Sequence, residues 1–426
     1  MREGTGERTT GQRIRSAAMK PDRAALRAVF IAVLLITLLG WTVGLVYGRG
    51  VGNQRSLFFK GTKDFLADYT NVLGYSAIND PYYNEHFSGP EEKVYPPLTY
   101  VAMFRLSWLG DIRQYTGESG YSNFWHEPLI TIAYILMTAA VLLGFYEALR
   151  HHFQGKRTAR VLMSGLMVFS APFLYTIERG NTVLAAALLS MIFIMNYDSP
   201  NKWAREAALG CLALATALKI TPAILGLLLL TERKGWKAAI RAGIYGIICV
   251  FVPFLFLARS PWENLTKMID NILVNARAYS VTEGCALEAC FLKLGIQLPE
   301  TAGTILRYAV AAVLLAGTFL ARKKWMRVMM TSLVLVTVPG HSGQYCLLYL
   351  IPAYALFLNE EEHSAGDWMI LAGTLLTLQP MQGKAVELFL NSGLGLLMLC
   401  GTMICQTIRL LLRRTKSGAG EGAAAT

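Results

Sequence analysis

Apolar residues arrive in blocks along this chain. Segments near 24–47, 128–147, 161–176, 181–196, 205–218, 220–231, 237–257, 304–321, 327–339, 344–358, 367–380 and 386–409 are dominated by Leu, Ile, Val, Ala, Phe and Met. A helix needs roughly 20 such residues to span hydrocarbon, and the pattern predicts an all-α, polytopic transmembrane helical protein of about 12 helices. Several blocks are short, so some are expected to be re-entrant or broken, above all the pair 205–218 and 220–231 on either side of Lys219. Two long polar stretches interrupt the series, 48–127 and 258–303. In the first, Phe58, Phe59, Phe65, Leu66, Tyr69, Val72 and Leu73 recur at helical spacing while Asp64, Asp68 and Asn71 share the opposite face. That spacing predicts an amphipathic helix on the membrane surface with a solvated acidic face. A second interfacial stretch is expected from Pro97 to Trp108, after Pro96.

Composition agrees with a bilayer as solvent. The 426 residues are 54% hydrophobic and only 16% charged, and the mean hydropathy is +0.39. The net charge of +12 is explained by topology. Lys and Arg cluster in the N-terminal tail, in 150–160, 202–205, 233–241 and 322–327, and in the C-terminal tail. Alternating segments put all of these on one side, which is the pattern of a cell-membrane protein with cytoplasmic N- and C-termini. The two polar stretches then lie outside the cytoplasm as outer loops. Basic residues interleaved with aromatics are missing, so no nucleic-acid partner is expected. The expected organisation is a basic cytoplasmic tail over 1–23, a membrane domain over 24–412 and a disordered cytoplasmic tail over 413–426. The first apolar segment lacks a small-residue cleavage site and is expected to stay as an anchor.

Candidate chemistry concentrates at four places. Asp64 offers a carboxylate at the outer interface, able to deprotonate a hydroxyl, although amphipathic helices carry acidic residues routinely. Glu178-Arg179-Gly180-Asn181 falls between two apolar segments with almost no loop. Charges so close to hydrocarbon either line a cavity or snorkel to the interface. Lys219 stands alone in Leu-Ala-Thr-Ala-Leu-Lys219-Ile-Thr-Pro222, where an ammonium suits a lipid phosphate, with snorkelling as the competing explanation. Pro339-Gly340-His341-Ser342-Gly343-Gln344-Tyr345 is a short loop in which His341 can shuttle a proton or donate to a phosphate, and which an ordinary turn explains equally well. Cysteine behaves mostly as a small hydrophobe here: Cys211, Cys346, Cys400 and Cys405 lie inside apolar segments. Cys285 and Cys290, in the second outer stretch, leave a disulfide open. There is no Walker-type phosphate loop and no Gly-x-Ser-x-Gly elbow, so neither NTP hydrolysis nor serine hydrolysis is supported.

Taken in order, Asp64-Phe65 with Tyr69, Asn79-Asp80-Pro81-Tyr82, Tyr95-Pro96-Pro97-Leu98, Arg179-Gly180-Asn181-Thr182 and Ala217-Leu218-Lys219-Ile220-Thr221-Pro222 resemble glycosyltransferase family 87. This is a branch of the multi-spanning, lipid-donor C-type glycosyltransferases, and the resemblance covers most of 24–358. It implies an inverting, mannosyltransferase-like enzyme with a polyprenol-phosphate-sugar donor and a lipid or glycan acceptor. It also implies Asp64 as general base and His341 near the donor phosphate. Lys219, Arg179, Asn181, Tyr95 and Gln344 complete the expected donor- and substrate-binding set. Arg179 and Ile220 depart from the family's Gly-Gln and Pro contexts. No cofactor or metal is called for, and nothing speaks against a divalent ion on the phosphate.

Two other functions compete. A lipid-linked sugar transporter or flippase would use Lys219, Glu178 and Arg179 to line its path, but such folds commonly carry internal repeats and the two halves share no motif. A surface-polysaccharide polymerase or ligase would want basic residues in a late outer loop, where 258–303 offers Lys267, Arg277 and Lys293.

Overall fold

The computed structural model describes residues 21–48, 66–85, 89–112, 127–278, 284–340, 342–379 and 390–423. Within them the chain is helical throughout, without a strand. Its α-helices are α1 (Arg23–Gly48), α2 (Ala67–Ser76), α3 (Pro97–Leu106), α4 (Pro128–His152), α5 (Arg157–Val168), α6 (Ala171–Arg179), α7 (Val183–Asn196) and α8 (Lys202–Leu218), followed by α9 (Trp236–Phe251), α10 (Pro261–Ala278), α11 (Leu287–Lys293), α12 (Glu300–Leu320), α13 (Lys324–Thr337), α14 (Ile351–Asn359), α15 (Asp367–Leu378) and α16 (Leu390–Ala423). Every apolar block of the sequence coincides with helix, including 3-10 runs at Thr221–Thr231, Val252–Phe256 and Gln344–Leu350.

Helix and membrane span are not the same thing, however. Among the described residues five helices are long and apolar enough to cross a bilayer, over Arg23–Gly44, Pro128–His152, Trp236–Phe256, Glu300–Leu320 and Leu390–Arg414. A sixth arises if α5 and α6, bent by 44°, form one broken span. The bend has a cause in the sequence: Pro172 lies in the first turn of α6, where it has no N–H to continue the helix of the preceding residues. The other apolar blocks are helices of 7 to 17 residues. Apolar length alone cannot separate a short buried helix from a span. Thus α13 buries every residue from Val328 to Thr337 at the centre of the bundle, as a helix apolar on all sides should. By contrast α4 leaves Leu129, Ile132, Ile135, Leu136 and Leu143 exposed, as a lipid-facing helix should.

Two cores result. The larger joins α1, α4, α5, α7, α8 and α12–α16 through residues such as Phe30, Phe145, Met191, Trp325 and Leu399. The smaller is aromatic and belongs to the polar stretches: Tyr69, Tyr75, Tyr82, Tyr95 and Tyr100 pack with Ile130, Phe254 and Met268. The described parts of the two polar stretches are therefore a packed layer, because enough aromatic surface is buried to order them. α10 ties them together, with Asn271 donating to the carbonyls of Tyr82 and Lys93, and Asn275 to that of Glu91. Arg259, a further basic residue of the second stretch, pairs with Asp80 at 2.7 Å and covers the Tyr83 ring.

One expectation changes, and the open question of a disulfide is answered. The surface helix appears as α2 from Ala67 onward, and residues 49–65 lie outside the described residues. Its acidic face is not solvated: Asp68 is only 13% exposed, because it meets a cation from another helix. At the other end, α16 runs to Ala423. Cys285 and Cys290 are buried free thiols, Cys290 reaching the carbonyl of Cys285 at 3.8 Å.

Candidate functional site

Where α6 ends, the chain reverses at Gly180, whose φ of 69° is the left-handed conformation that glycine adopts without strain. Closeness also demands glycine, as a Cβ there would fall 2.6 Å from the Cβ of Tyr69. α2 can therefore lie directly against this turn. Leu66, itself left-handed at φ 55°, donates its N–H to the carbonyl of Glu178 at 2.6 Å. Asp68 then receives Nη2 of Arg179 on one oxygen at 2.5 Å and Nδ2 of Asn181 on the other at 2.7 Å. Asn181 in turn accepts the Val183 N–H, starting α7. The polar run between two apolar segments is thus a clamp on α2.

Lys219 occupies the corresponding break further on. α8 stops there because Thr99 donates its hydroxyl to the Leu218 carbonyl at 3.0 Å, and Pro222 prevents the helix from continuing. The Lys219 backbone is extended, and its ammonium lies 3.8 Å from the centre of the Tyr95 ring and 5.8 Å from that of Tyr345. Tyr345 stacks on Tyr175 of α6, the helix that ends in Arg179. Tyr95 is buried and held by its backbone: its carbonyl accepts the Tyr82 hydroxyl and its N–H donates to that of Tyr100. Burial, with the Asp68 charge in second place, pushes the Tyr95 hydroxyl well above the usual tyrosine range. Gln344 is buried, and its Nε2 meets no partner among the described residues.

On its open side Lys219 lines a cavity of about 860 Å³. Val94, Pro96, Ile220, Glu288, Arg307 and Gly340 are among the residues that line it. A mixed lining of this size suits an amphipathic ligand. Among the described residues no three His, Cys, Asp or Glu side chains converge as metal ligands would.

Of the residues expected from sequence, Lys219, Tyr95, Arg179, Asn181 and Gln344 are brought into this one region by α3, α6, α8 and the Gln344–Leu350 turn. Asp64 and His341 lie outside the described residues. Sequence reasoning missed Arg307 and Glu288, although a single Arg near the start of an apolar helix was a readable signal. It also placed Asp68 on a solvated face beside Asp64.

Compared with known families, the chain matches the model of glycosyltransferase family 87 over residues 94–342, more than half its length. The matched range contains Tyr95, Arg179, Asn181, Lys219 and His341 and stops short of Asp64 and Gln344. No curated protein and no solved structure matches it.

Proposed function

The chain belongs to glycosyltransferase family 87 and is a membrane glycosyltransferase, and from that premise we propose that it moves a sugar from a polyprenol-phosphate donor to a lipid or glycan acceptor. The reaction takes place on the extracytoplasmic face of the cell membrane, with both termini cytoplasmic and mannose as the sugar the resemblance favours. The observation that carries this reading is the Lys219 ammonium, fixed over Tyr95 and open to the 860 Å³ cavity. An ammonium in an apolar frame is costly unless an anion faces it, and a donor phosphate is such an anion.

In the reaction, the acceptor hydroxyl gives its proton to Asp64 as its oxygen bonds to the anomeric carbon from the face opposite the phosphate. The anomeric C–O bond breaks and its electron pair leaves with polyprenyl phosphate, whose growing charge Lys219 and His341 stabilise. Arg179 and Asn181 act through Asp68, holding α2 against the site. Tyr95 orients Lys219, and Gln344 offers a free amide donor. The roles of Asp64 and His341 rest on the family resemblance.

A transporter of the same lipid would use the same charged cavity. The two separate on incubation of purified protein with a panel of polyprenyl-phosphate sugars, followed by mass analysis. Release of polyprenyl phosphate together with a glycosylated acceptor supports transfer. Passage of intact donor across a vesicle, without release, replaces transfer by transport.

A further inference from the structure

Arg307 lies in the wall of the cavity that Lys219 lines, at the second turn of α12, and is only 13% exposed. It faces Glu288 of α11, 16% exposed, at 3.3 Å between Nε and Oε1. The pair is poorly made. The contact is not aligned as a hydrogen bond, and neither Arg307 Nε nor Glu288 Oε2 finds a hydrogen-bond partner among the described residues. A buried ion pair stabilises only with good geometry and its remaining donors satisfied, so this arrangement leaves a guanidinium with unspent donors beside an open cavity. Gly340 borders the same wall: a Cβ there would stand 3.4 Å from Arg307 Nη1. A guanidinium presents a planar fork that matches two phosphate oxygens, whereas an ammonium binds as a point charge.

We infer that Arg307 is a second phosphate-binding cation, which Glu288 pairs with and releases when a lipid phosphate enters the cavity that Lys219 also lines. The inference rests on the lipid-phosphate reading of the cavity and adds what that reading does not contain, a cation exchanged between a protein carboxylate and the ligand. Glu288 therefore competes with the ligand. Removing either member of a purely structural pair would lower stability in the same sense, whereas a competing pair gives affinity changes of opposite sign.

The test uses the full chain in lipid nanodiscs, with binding measured for polyprenyl monophosphate, the matching polyprenol without phosphate, and inorganic phosphate. Arg307→Gln is expected to weaken polyprenyl-phosphate binding on the order of tenfold, the loss of about one charged hydrogen bond. Glu288→Gln, which keeps the shape and removes the charge, is expected to tighten it severalfold, and Arg307→Lys to recover part of the affinity. Polyprenol binding is expected to stay unchanged in all three. Glu288→Gln that binds more weakly than wild type, or Arg307→Gln that binds equally well in a folded state, overturns the inference. If wild type binds inorganic phosphate but not polyprenyl phosphate, the lipid-donor reading fails by itself, and the same variants decide the cation exchange with phosphate as probe. If wild type binds neither, the exchange is overturned as well.

Discussion

The Lys219 ammonium stands 3.8 Å from the centre of the Tyr95 ring, bringing the C-terminal end of one helix over a residue two positions before the start of another. A cation at this distance is attracted by the ring's quadrupole with about 0.5–2 kcal/mol. The attraction is compatible with an anion on the cation's other side, so Tyr95 aims the charge without neutralising it. Tyr95→Phe keeps the ring and is expected to leave the donor KM within about twofold of wild type, while Tyr95→Leu raises it severalfold, as the loss of one cation–π contact predicts. Lys219→Met is expected to raise donor KM more than acceptor KM. Steady-state kinetics on both substrates check this, and an unchanged donor KM in folded Lys219→Met would leave Lys219 as a snorkelling anchor.

Asp68 is the only carboxylate seen against Arg179 among the described residues, and it takes Asn181 as well. Removing it takes the 2.5 Å carboxylate partner from a guanidinium that is only 21% exposed, which costs about 1–3 kcal/mol. Asp68→Asn is therefore expected to lower the thermal midpoint, and Arg179→Gln to lower it similarly. The double variant should lose less than the sum, because each single change already breaks the pair. Additive losses in the double-mutant cycle would mean that the two residues stabilise the fold separately.

The aromatic layer gives a pH dependence with a definite sign. Burial raises the hydroxyls of Tyr82, Tyr95 and Tyr100 above the usual tyrosine value. A group whose folded pKa is raised contributes stability that is complete below its unfolded value, near 10, and is lost as pH climbs toward the folded one. Stability is expected to be flat in this respect up to about pH 10 and then to fall by roughly 1.4 kcal/mol per pH unit for each such tyrosine. Tyr82→Phe should make the alkaline fall shallower. Thermal midpoints between pH 8 and 11 measure it, and identical slopes for variant and wild type would remove Tyr82 from the explanation.

Periodicity and hydropathy made the helices legible, because apolar blocks must be helical in a bilayer whatever their length. They could not give the span number. α7 is as apolar as the candidate spans yet only 14 residues long, and α13 shows itself as an interior helix through its packing, buried from Val328 to Thr337. At the site, Lys219 was legible because a lone charge between apolar halves has few explanations. Asp68 was not: spacing puts it on the polar face of α2, and nothing local says that Arg179, 111 residues away, covers that face. The Arg307–Glu288 pair escaped for the same reason, being joined across two helices.

Asp64 and Asp68 now make different predictions, which allows the general base to be tested cleanly. Asp68 is engaged by Arg179 and Asn181, and a carboxylate whose two oxygens are already occupied by a cation and an amide is a poor acceptor for a substrate proton. The base proposed here is Asp64, from the family resemblance and from its position four residues before Asp68 in the chain. Loss of a general base costs on the order of 10² to 10⁴ in rate. Asp64→Asn is accordingly expected to fold normally and keep the wild-type affinity for polyprenyl phosphate, yet to lose at least about a hundredfold in kcat. Asp68→Asn is expected to lose stability first and to recover much of its activity at low temperature, where the clamp on α2 still holds. Single-turnover rates together with thermal midpoints for both variants separate the two roles. If Asp64→Asn turns over at the wild-type rate, the base is another group. If Asp68→Asn is inactive while fully folded, that carboxylate must exchange Arg179 for substrate during the reaction.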